Sequence, residues 1–97
     1  MGERNYFDFK IARTGKAERV GEVSIILTKT DTKHSRYSME VLAGDKKTEK
    51  KERTVNEPVQ FYLSRVRMPF EIVVNEVQKD YIVGYLAAPK QLVTSTD

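Results

Sequence analysis

The sequence contains no cysteine, and His34 is its only histidine. The absence of cysteine excludes disulfides, a thiolate nucleophile and cysteine-ligated zinc, and it leaves the redox compartment undecided. A zinc site built from histidines needs more of them than the chain has. No apolar run approaches the roughly 18 residues that a membrane-spanning helix needs, and no charged-then-apolar leader follows Met1. We therefore expect a soluble protein without metal or other cofactor, either cytoplasmic or the processed form of an exported protein.

Patterns typical of enzymes are also missing. Neither a G-x-G-x-x-G motif nor a P-loop occurs, and the acidic residues are too scattered for a calcium loop. His34 is followed by Ser35, but neighbours along a strand point to opposite faces, so we expect a solvated loop histidine and no triad. A carboxylate pair is the remaining acid–base option. Its candidates are Asp8, Glu22, Glu40, Glu71 and Glu76, of which Glu76 is expected at the rim of the core or paired with Arg65. The sequence predicts a protein that is not an enzyme.

Apolar residues alternate with polar ones in most of the chain, which is the period of a half-buried β-strand. Seven runs are predicted as strands: residues 6–11, 21–28, 36–43, 46–55, 59–64, 70–77 and 81–88. The gaps between them have hairpin length, which predicts antiparallel neighbours. We expect an all-β fold, an antiparallel meander of about six to seven strands that forms a small barrel or a β-sandwich. Residues 1–89 are expected to be one domain, and residues 90–97 a flexible C-terminal tail.

The net charge of +3 is concentrated in one segment, residues 46–53. Five cations there face only two carboxylates, Glu49 and Glu52, whereas the rest of the chain is balanced. The five cations are Lys46, Lys47, Lys50, Lys51 and Arg53. Both faces of this run are polar, which predicts an edge strand or a projecting ribbon, because lysine-rich edges oppose aggregation between sheets.

The last predicted hairpin is apolar on both faces. If Gln78 and Lys79 form a two-residue loop, the inner face of the last strand is Tyr81, Val83, Tyr85 and Ala87. The outer face of the hairpin then carries Val73, Val77, Ile82 and Leu86. This second face is either ordinary core, covered by a curled sheet or by the N-terminal strand, or a docking face for a second copy or another protein. These four residues are the candidate partner-binding site.

Nucleic acid is an alternative partner, because small β-domains bind single strands with aromatic platforms beside a basic groove. Tyr6 and Tyr62, with Tyr81 or Tyr85, are the candidate stacking residues, and Arg65, Arg67 and the 46–53 ribbon are the candidate phosphate contacts. The two glutamates of the ribbon and the small net charge weaken this alternative. A lipophilic ligand inside a barrel ranks last, because Phe7, Phe9, Phe61 and Phe70 would fill so small an interior. The sequence thus predicts a non-catalytic binding or structural domain that acts through protein–protein contacts, by self-association or with an unknown partner. Weak binding of nucleic acid or another polyanion by the basic ribbon and adjacent tyrosines is the alternative.

Overall fold

The computed structural model describes residues 4–62 and 68–90. These residues form eight strands and no helix, which confirms the all-β prediction. The strands are β1 (Arg4–Ala12), β2 (Glu18–Val20), β3 (Val23–Asp31), β4 (Arg36–Ala43), β5 (Lys46–Thr54), β6 (Val59–Phe61), β7 (Phe70–Val77) and β8 (Tyr81–Pro89). Within the described ranges, no helix has the length and apolar character to cross a membrane. The predicted tail lies outside the described residues from position 91 onward.

The strands of the described ranges lie in two antiparallel sheets of four. The first sheet has the order β1-β8-β7-β6, and the second has the order β2-β3-β4-β5. Inward residues of both sheets form a single apolar cluster, as the alternation predicted for most strands. On β3, for example, Val23, Ile25 and Leu27 are at most 1% exposed. Each sheet therefore has one face in the core and one outer face that the other sheet does not cover.

The strand that the sequence did not predict is β2, which pairs with β3 from Glu18↔Ile25 to Val20↔Val23. Seven strands in up-and-down order would leave the first and last strands parallel. The additional strand restores an antiparallel relation, and β1 pairs with β8 along its whole length. The chain also departs from a continuous meander at two points, because β1 and β2 lie in different sheets and so do β5 and β6.

A β-bulge in β7 overturns the predicted faces of the last hairpin. Ile72 pairs with Leu86, whereas Glu76 pairs with Val83, and the register shifts between Val74 and Glu76. Because side chains alternate with a period of two, one extra residue moves the following residues to the opposite face. The extra residue is Asn75.

The bulge makes most of the predicted outer face part of the core. Ile82 and Leu86 are 0% exposed, and Val77 packs against the core cluster. Of the four candidate partner-binding residues, only Val73 lies on the outer face, and it is 8% exposed. The residues expected inside, which are Tyr81, Val83, Tyr85, Ala87 and Glu76, lie on the outer face instead.

Candidate interaction surfaces

The outer face of the first sheet carries three tyrosines around an apolar floor. Cross-strand pairing places Tyr6 opposite Ala87, and Tyr85 opposite both Asp8 and Val73. Directly opposed residues of a sheet share one face, so these side chains are neighbours. We call this surface the tyrosine face, and its members are Tyr6, Tyr81, Tyr85, Val73, Val83 and Ala87.

The rings of the tyrosine face contact one another and a neighbouring cation. The ring centroids of Tyr6 and Tyr85 are 5.9 Å apart in an edge-to-face arrangement with an interplanar angle of 65°. The Lys10 Nζ atom lies 4.4 Å from the centroid of the Tyr81 ring. Tyr6 is 65% exposed, whereas its cross-strand partner Ala87 is 2% exposed. The tyrosine face therefore combines exposed or half-buried tyrosine rings with smaller apolar side chains that are buried or half-buried.

The polar residues that border the tyrosine face carry more negative than positive charge. The carboxylates are Asp8, Glu71 and Glu76, and the cations are Arg4 and Lys10. The Gln60 side-chain amide donates a hydrogen bond to Glu71 Oε2 at 2.8 Å, and Gln78 Nε2 donates to Glu76 Oε2 at 2.8 Å. The Asp8 carboxylate has neither a hydrogen bond nor an ion pair among the residues described.

The basic segment forms β5, which pairs only with β4 in the part of the chain that the structure describes. This confirms the predicted edge strand. Three of its cations, however, have carboxylate partners. Lys47 Nζ lies 3.6 Å from Glu40 Oε1, and Lys51 Nζ lies 3.9 Å from Glu49 Oε1. Arg53 Nη1 lies 3.5 Å from Glu57 Oε2. Lys46 is exposed at the start of the strand.

Two cations of β5 point toward the other sheet. Lys50 Nζ donates to the Gln60 carbonyl oxygen of β6 at 3.3 Å, and Arg53 is paired across the strands with the buried Tyr37. Burial lowers the pKa of Lys50, and the charge of Arg53 lowers it further. The Tyr37 hydroxyl and Arg53 Nε are buried without a hydrogen-bond partner among the described residues, and burial raises the pKa of Tyr37. The Lys50 side chain therefore links β5 to β6, and Lys50 and Arg53 are less available to a polyanion than exposed cations would be.

The other residues proposed for polyanion binding are only partly brought together. Tyr62 follows β6 on the side of the sandwich that β5 borders, and it is 56% exposed. Tyr6, Tyr81 and Tyr85 lie on the outer face of the first sheet, whereas β5 belongs to the second. Arg65 and Arg67 lie outside the described residues. Within the described residues, the basic ribbon therefore does not share a groove with Tyr6, Tyr81 and Tyr85, and Tyr62 is the one candidate tyrosine on its side.

The opposite side of the sandwich has an open edge at β1, which pairs only with β8 among the strands described. Phe7, near the middle of β1, is 37% exposed. One groove of about 370 Å³ includes Phe7, Phe70 and Pro89 in its wall. A second groove of about 310 Å³ lies between residues 7–10 of β1 and residues 18–21, which include β2. This edge combines unpaired backbone with an exposed ring.

His34 lies in the turn between β3 and β4, as the sequence predicted for a loop histidine. His34 Nδ1 lies 2.9 Å from Asp31 Oδ2, and the His34 backbone N–H donates to Asp31 Oδ1 at 3.2 Å. The bond to His34 lowers the pKa of Asp31. Within the described ranges no hydroxyl is hydrogen-bonded to the His34 ring, and the cavity beside Asp31 measures about 50 Å³. The pair fastens the turn between β3 and β4.

The acidic candidates also lie apart or in ion pairs. Glu40 is paired with Lys47, and Asp8, Glu71 and Glu76 are spread over the outer face of the first sheet. Glu22 lines the groove beside Phe7. The described residues contain no group of three or more histidine and carboxylate side chains that could hold a metal ion.

Sequence reasoning missed the tyrosine face as a unit, because it placed Tyr81 and Tyr85 inside. The sequence did contain an indication of the alternative. Because both faces of this hairpin are apolar, Tyr81 and Tyr85 could be assigned to the outer face as well as to the inner one. No protein-family model, curated protein or solved structure matches the chain.

Proposed function

We propose that this protein is a non-catalytic binding domain whose tyrosine face docks a partner protein. The observation that carries the proposal is the group of three tyrosines that share one face with Val73, Val83 and Ala87, on a sheet surface that the second sheet does not cover. Tyrosine is enriched at protein interfaces, because its ring buries apolar area while its hydroxyl remains hydrogen-bonded. Such residues provide most of the binding energy when they lie at the centre of a contact.

The charges around the tyrosine face define the kind of partner. Asp8, Glu71 and Glu76 outnumber Arg4 and Lys10, and the Asp8 carboxylate lacks a partner among the described residues. An acidic border favours a protein surface with an apolar centre and a rim of lysine or arginine. It disfavours a nucleic acid, whose phosphates need cations beside the stacking rings.

The experiment compares substitutions at matched tyrosines. The double variant Tyr6→Glu/Tyr85→Glu changes the tyrosine face, and Tyr62→Glu is the control, because Tyr62 is 56% exposed and lies elsewhere. Each protein is immobilised and incubated with lysate of the source organism, and retained proteins are quantified by mass spectrometry. A protein retained by the wild type is then purified, and its affinity is measured for all three forms.

We expect the double variant to bind the purified partner at least tenfold more weakly, about 1.4 kcal/mol, and the control to bind like the wild type. Equal binding by the double variant would refute the proposal, and so would the absence of any partner that binds with saturation.

A salt titration separates this function from polyanion binding. Binding to the partner protein should change less than about threefold between about 50 and 200 mM salt, because apolar burial is little affected by screening. A 15-nucleotide oligothymidylate is the matched polyanion. If it binds with an affinity that falls steeply with salt, the basic ribbon and Tyr62 carry the function instead.

A further inference from the structure

We infer that the free edge of β1 pairs with the same edge of a second copy, antiparallel, with Phe9 at the centre. In the described part of the chain this nine-residue strand has a neighbour on one side only. Long unpaired edges are templates for strand addition unless a charge, a proline or a bulge blocks them. The β1 sequence contains no proline, and its pairing with β8 continues without a register shift. It does carry charges, at Arg4, Asp8 and Lys10, and these restrict pairing to a register in which opposite charges meet. Both grooves described above include Phe7, and the second separates residues 7–10 of β1 from residues 18–21.

The charges of β1 select the register. We consider two copies related by a twofold axis perpendicular to the sheet, which leaves each side chain on its own face. Directly opposed residues share a face, so the axis must pass between the two copies of one residue, which we call the centre. A centre at Asp8 places two aspartates directly opposite each other, and a centre at Lys10 does the same with two lysines. Like charges directly opposite are destabilising. A centre at Phe7 places Lys10 opposite Arg4 and is disfavoured for the same reason.

A centre at Phe9 makes the charges complementary. Asp8 of each copy then lies opposite Lys10 of the other, which forms two ion pairs related by the axis. Asp8 is exposed and lacks a partner within the described residues, so this pairing breaks no existing ion pair of that carboxylate. Lys10 is exposed as well. Exposed pairs contribute modestly to affinity, and their main effect is on the choice of register.

The same register joins the apolar sides of the two strands. Phe9 lies opposite Phe9 of the second copy, and Phe7 lies opposite Ile11 of the second copy. Phe7 is the member of this inward row with the largest exposure, at 37%, whereas Phe9 and Ile11 are 8% and 0% exposed. Strand pairing would therefore cover Phe7, the aromatic ring of the inward row that the single domain leaves most exposed.

The two first sheets would become one continuous sheet of eight strands. This inference goes beyond the proposed function, because it concerns the edge of β1 and does not require a partner to bind the tyrosine face. It would place both tyrosine faces on the same side of the dimer. A partner with two suitable surfaces would then gain avidity without any new type of contact.

The experiment is a charge exchange followed by sedimentation equilibrium. We expect the wild-type mass to rise from one chain toward two as concentration rises from about 5 to about 500 µM, as mass action requires. In the dimer, position 8 of each copy lies opposite position 10 of the other. Asp8→Lys therefore creates two lysine–lysine pairs, and Lys10→Asp creates two aspartate–aspartate pairs. Each single variant should remain monomeric over this range, with the far-ultraviolet circular dichroism of the wild type.

The decisive sample is an equimolar mixture of the two single variants. In the heterodimer every lysine of one copy faces an aspartate of the other, so association should return, as it should in the double variant Asp8→Lys/Lys10→Asp. Glu71→Lys is the control, because Glu71 shares the outer face but lies on β7, away from the edge. A monomeric wild type at the highest concentration would overturn the inference, and so would single variants that dimerise like the wild type or a mixture that remains monomeric. Each of these results leaves the pull-down test of the tyrosine face unaffected.

Discussion

Asn56 and Asn75 join the β5–β6 connection to the bulge of β7. Asn75 Nδ2 donates a hydrogen bond to Asn56 Oδ1 at 3.1 Å, and the Asn56 backbone N–H donates to the Val74 carbonyl oxygen at 2.7 Å. Asn56 has a φ of 63°, in the left-handed region that asparagine tolerates better than most residues. The β5–β6 connection, which crosses from the second sheet to the first, is therefore hydrogen-bonded to Asn75, the bulge residue after which the side chains of β7 change face.

Asn56→Ala should destabilise the domain by about 1–3 kcal/mol, because it loses the side-chain hydrogen bond and places a Cβ-bearing residue without local compensation at positive φ. Asn56→Gly keeps the backbone conformation and loses only the bond, so about 0.5–1.5 kcal/mol is expected. Urea denaturation of both variants measures the difference. Equal stability of the alanine variant and the wild type would contradict the anchoring role.

Deletion of Asn75 should leave a folded protein. Without the extra residue, Glu76 follows Val74 directly, and every later side chain keeps its present face. Deletion of Val73 is the control, because it moves part of β7 to the wrong face and should abolish folding. Dispersed amide signals in two-dimensional NMR spectra report the outcome. A folded Val73 deletion together with an unfolded Asn75 deletion would show that the facing is not set by the bulge.

Adjacent substitutions on β8 should differ sharply. Leu86→Asp introduces an unpaired carboxylate at a position that is 0% exposed, and we expect loss of folding. Tyr85→Asp, one residue earlier, lies on the outer face and should remain folded, with a loss of at most about 2 kcal/mol from the buried part of its ring. Thermal denaturation followed by circular dichroism compares the two. A larger loss of stability for Tyr85→Asp than for Leu86→Asp would support the prediction from the sequence, which placed Tyr85 inside and Leu86 outside.

Gly84→Ala should be the most damaging glycine substitution. Gly84 lies opposite Val74 at the bulge, and a Cβ there would overlap the Val73 carbonyl oxygen and approach Val74 Cα to 2.8 Å. Both obstacles are backbone atoms of the adjacent strand, so rotamer changes cannot relieve the overlap. We expect a loss of at least about 3 kcal/mol. Gly15→Ala is the control, because nothing lies within 4 Å of its Cβ position and only the positive φ opposes it. Similar losses in both variants would contradict the close approach.

The Asp31–His34 contact predicts a titration shift. The hydrogen bond to His34 holds the pKa of Asp31 below its usual value of 3.8. A carboxyl with a depressed pKa in the folded state contributes stability above its unfolded pKa, and this contribution is lost as the pH falls through the folded value. His34→Ala should therefore raise the pKa of Asp31, and any stability difference from the wild type should shrink below about pH 4. NMR titration of the Asp31 carboxyl carbon measures both forms, and an unchanged midpoint would contradict the assignment.

Most strands could be predicted from the sequence because one face is apolar and the other polar. On β3 the alternation assigns Val23, Ile25 and Leu27 to the inner face. On β4 it assigns Tyr37, Met39 and Val41 to the inner face, and all six residues are buried. The polar segment that became β5 had to be an edge, since neither of its faces could enter the core.

The last hairpin could not be predicted in the same way. Both faces of β7 and β8 are apolar, so the apolar pattern does not distinguish the true pairing register from one shifted by a single residue. In addition, neither glycine nor proline beside Asn75 indicates a bulge. The three-residue strand β2 has Val20 as its only apolar member and shows no periodicity. The tyrosine face depended on these features together with the pairing of β1 and β8, which are far apart in sequence.

The pairing of Arg4 with Pro89 brings the two ends of the described β-domain to adjacent positions, with Cα atoms about 5 Å apart as in any antiparallel ladder. A force that pulls these two residues apart would break the hydrogen bonds between β1 and β8 one residue pair at a time, starting from this end. It would not load all the hydrogen bonds of the ladder at once. The domain should therefore yield to a weak mechanical pull at its ends, and it should tolerate insertion into a surface loop of a host protein.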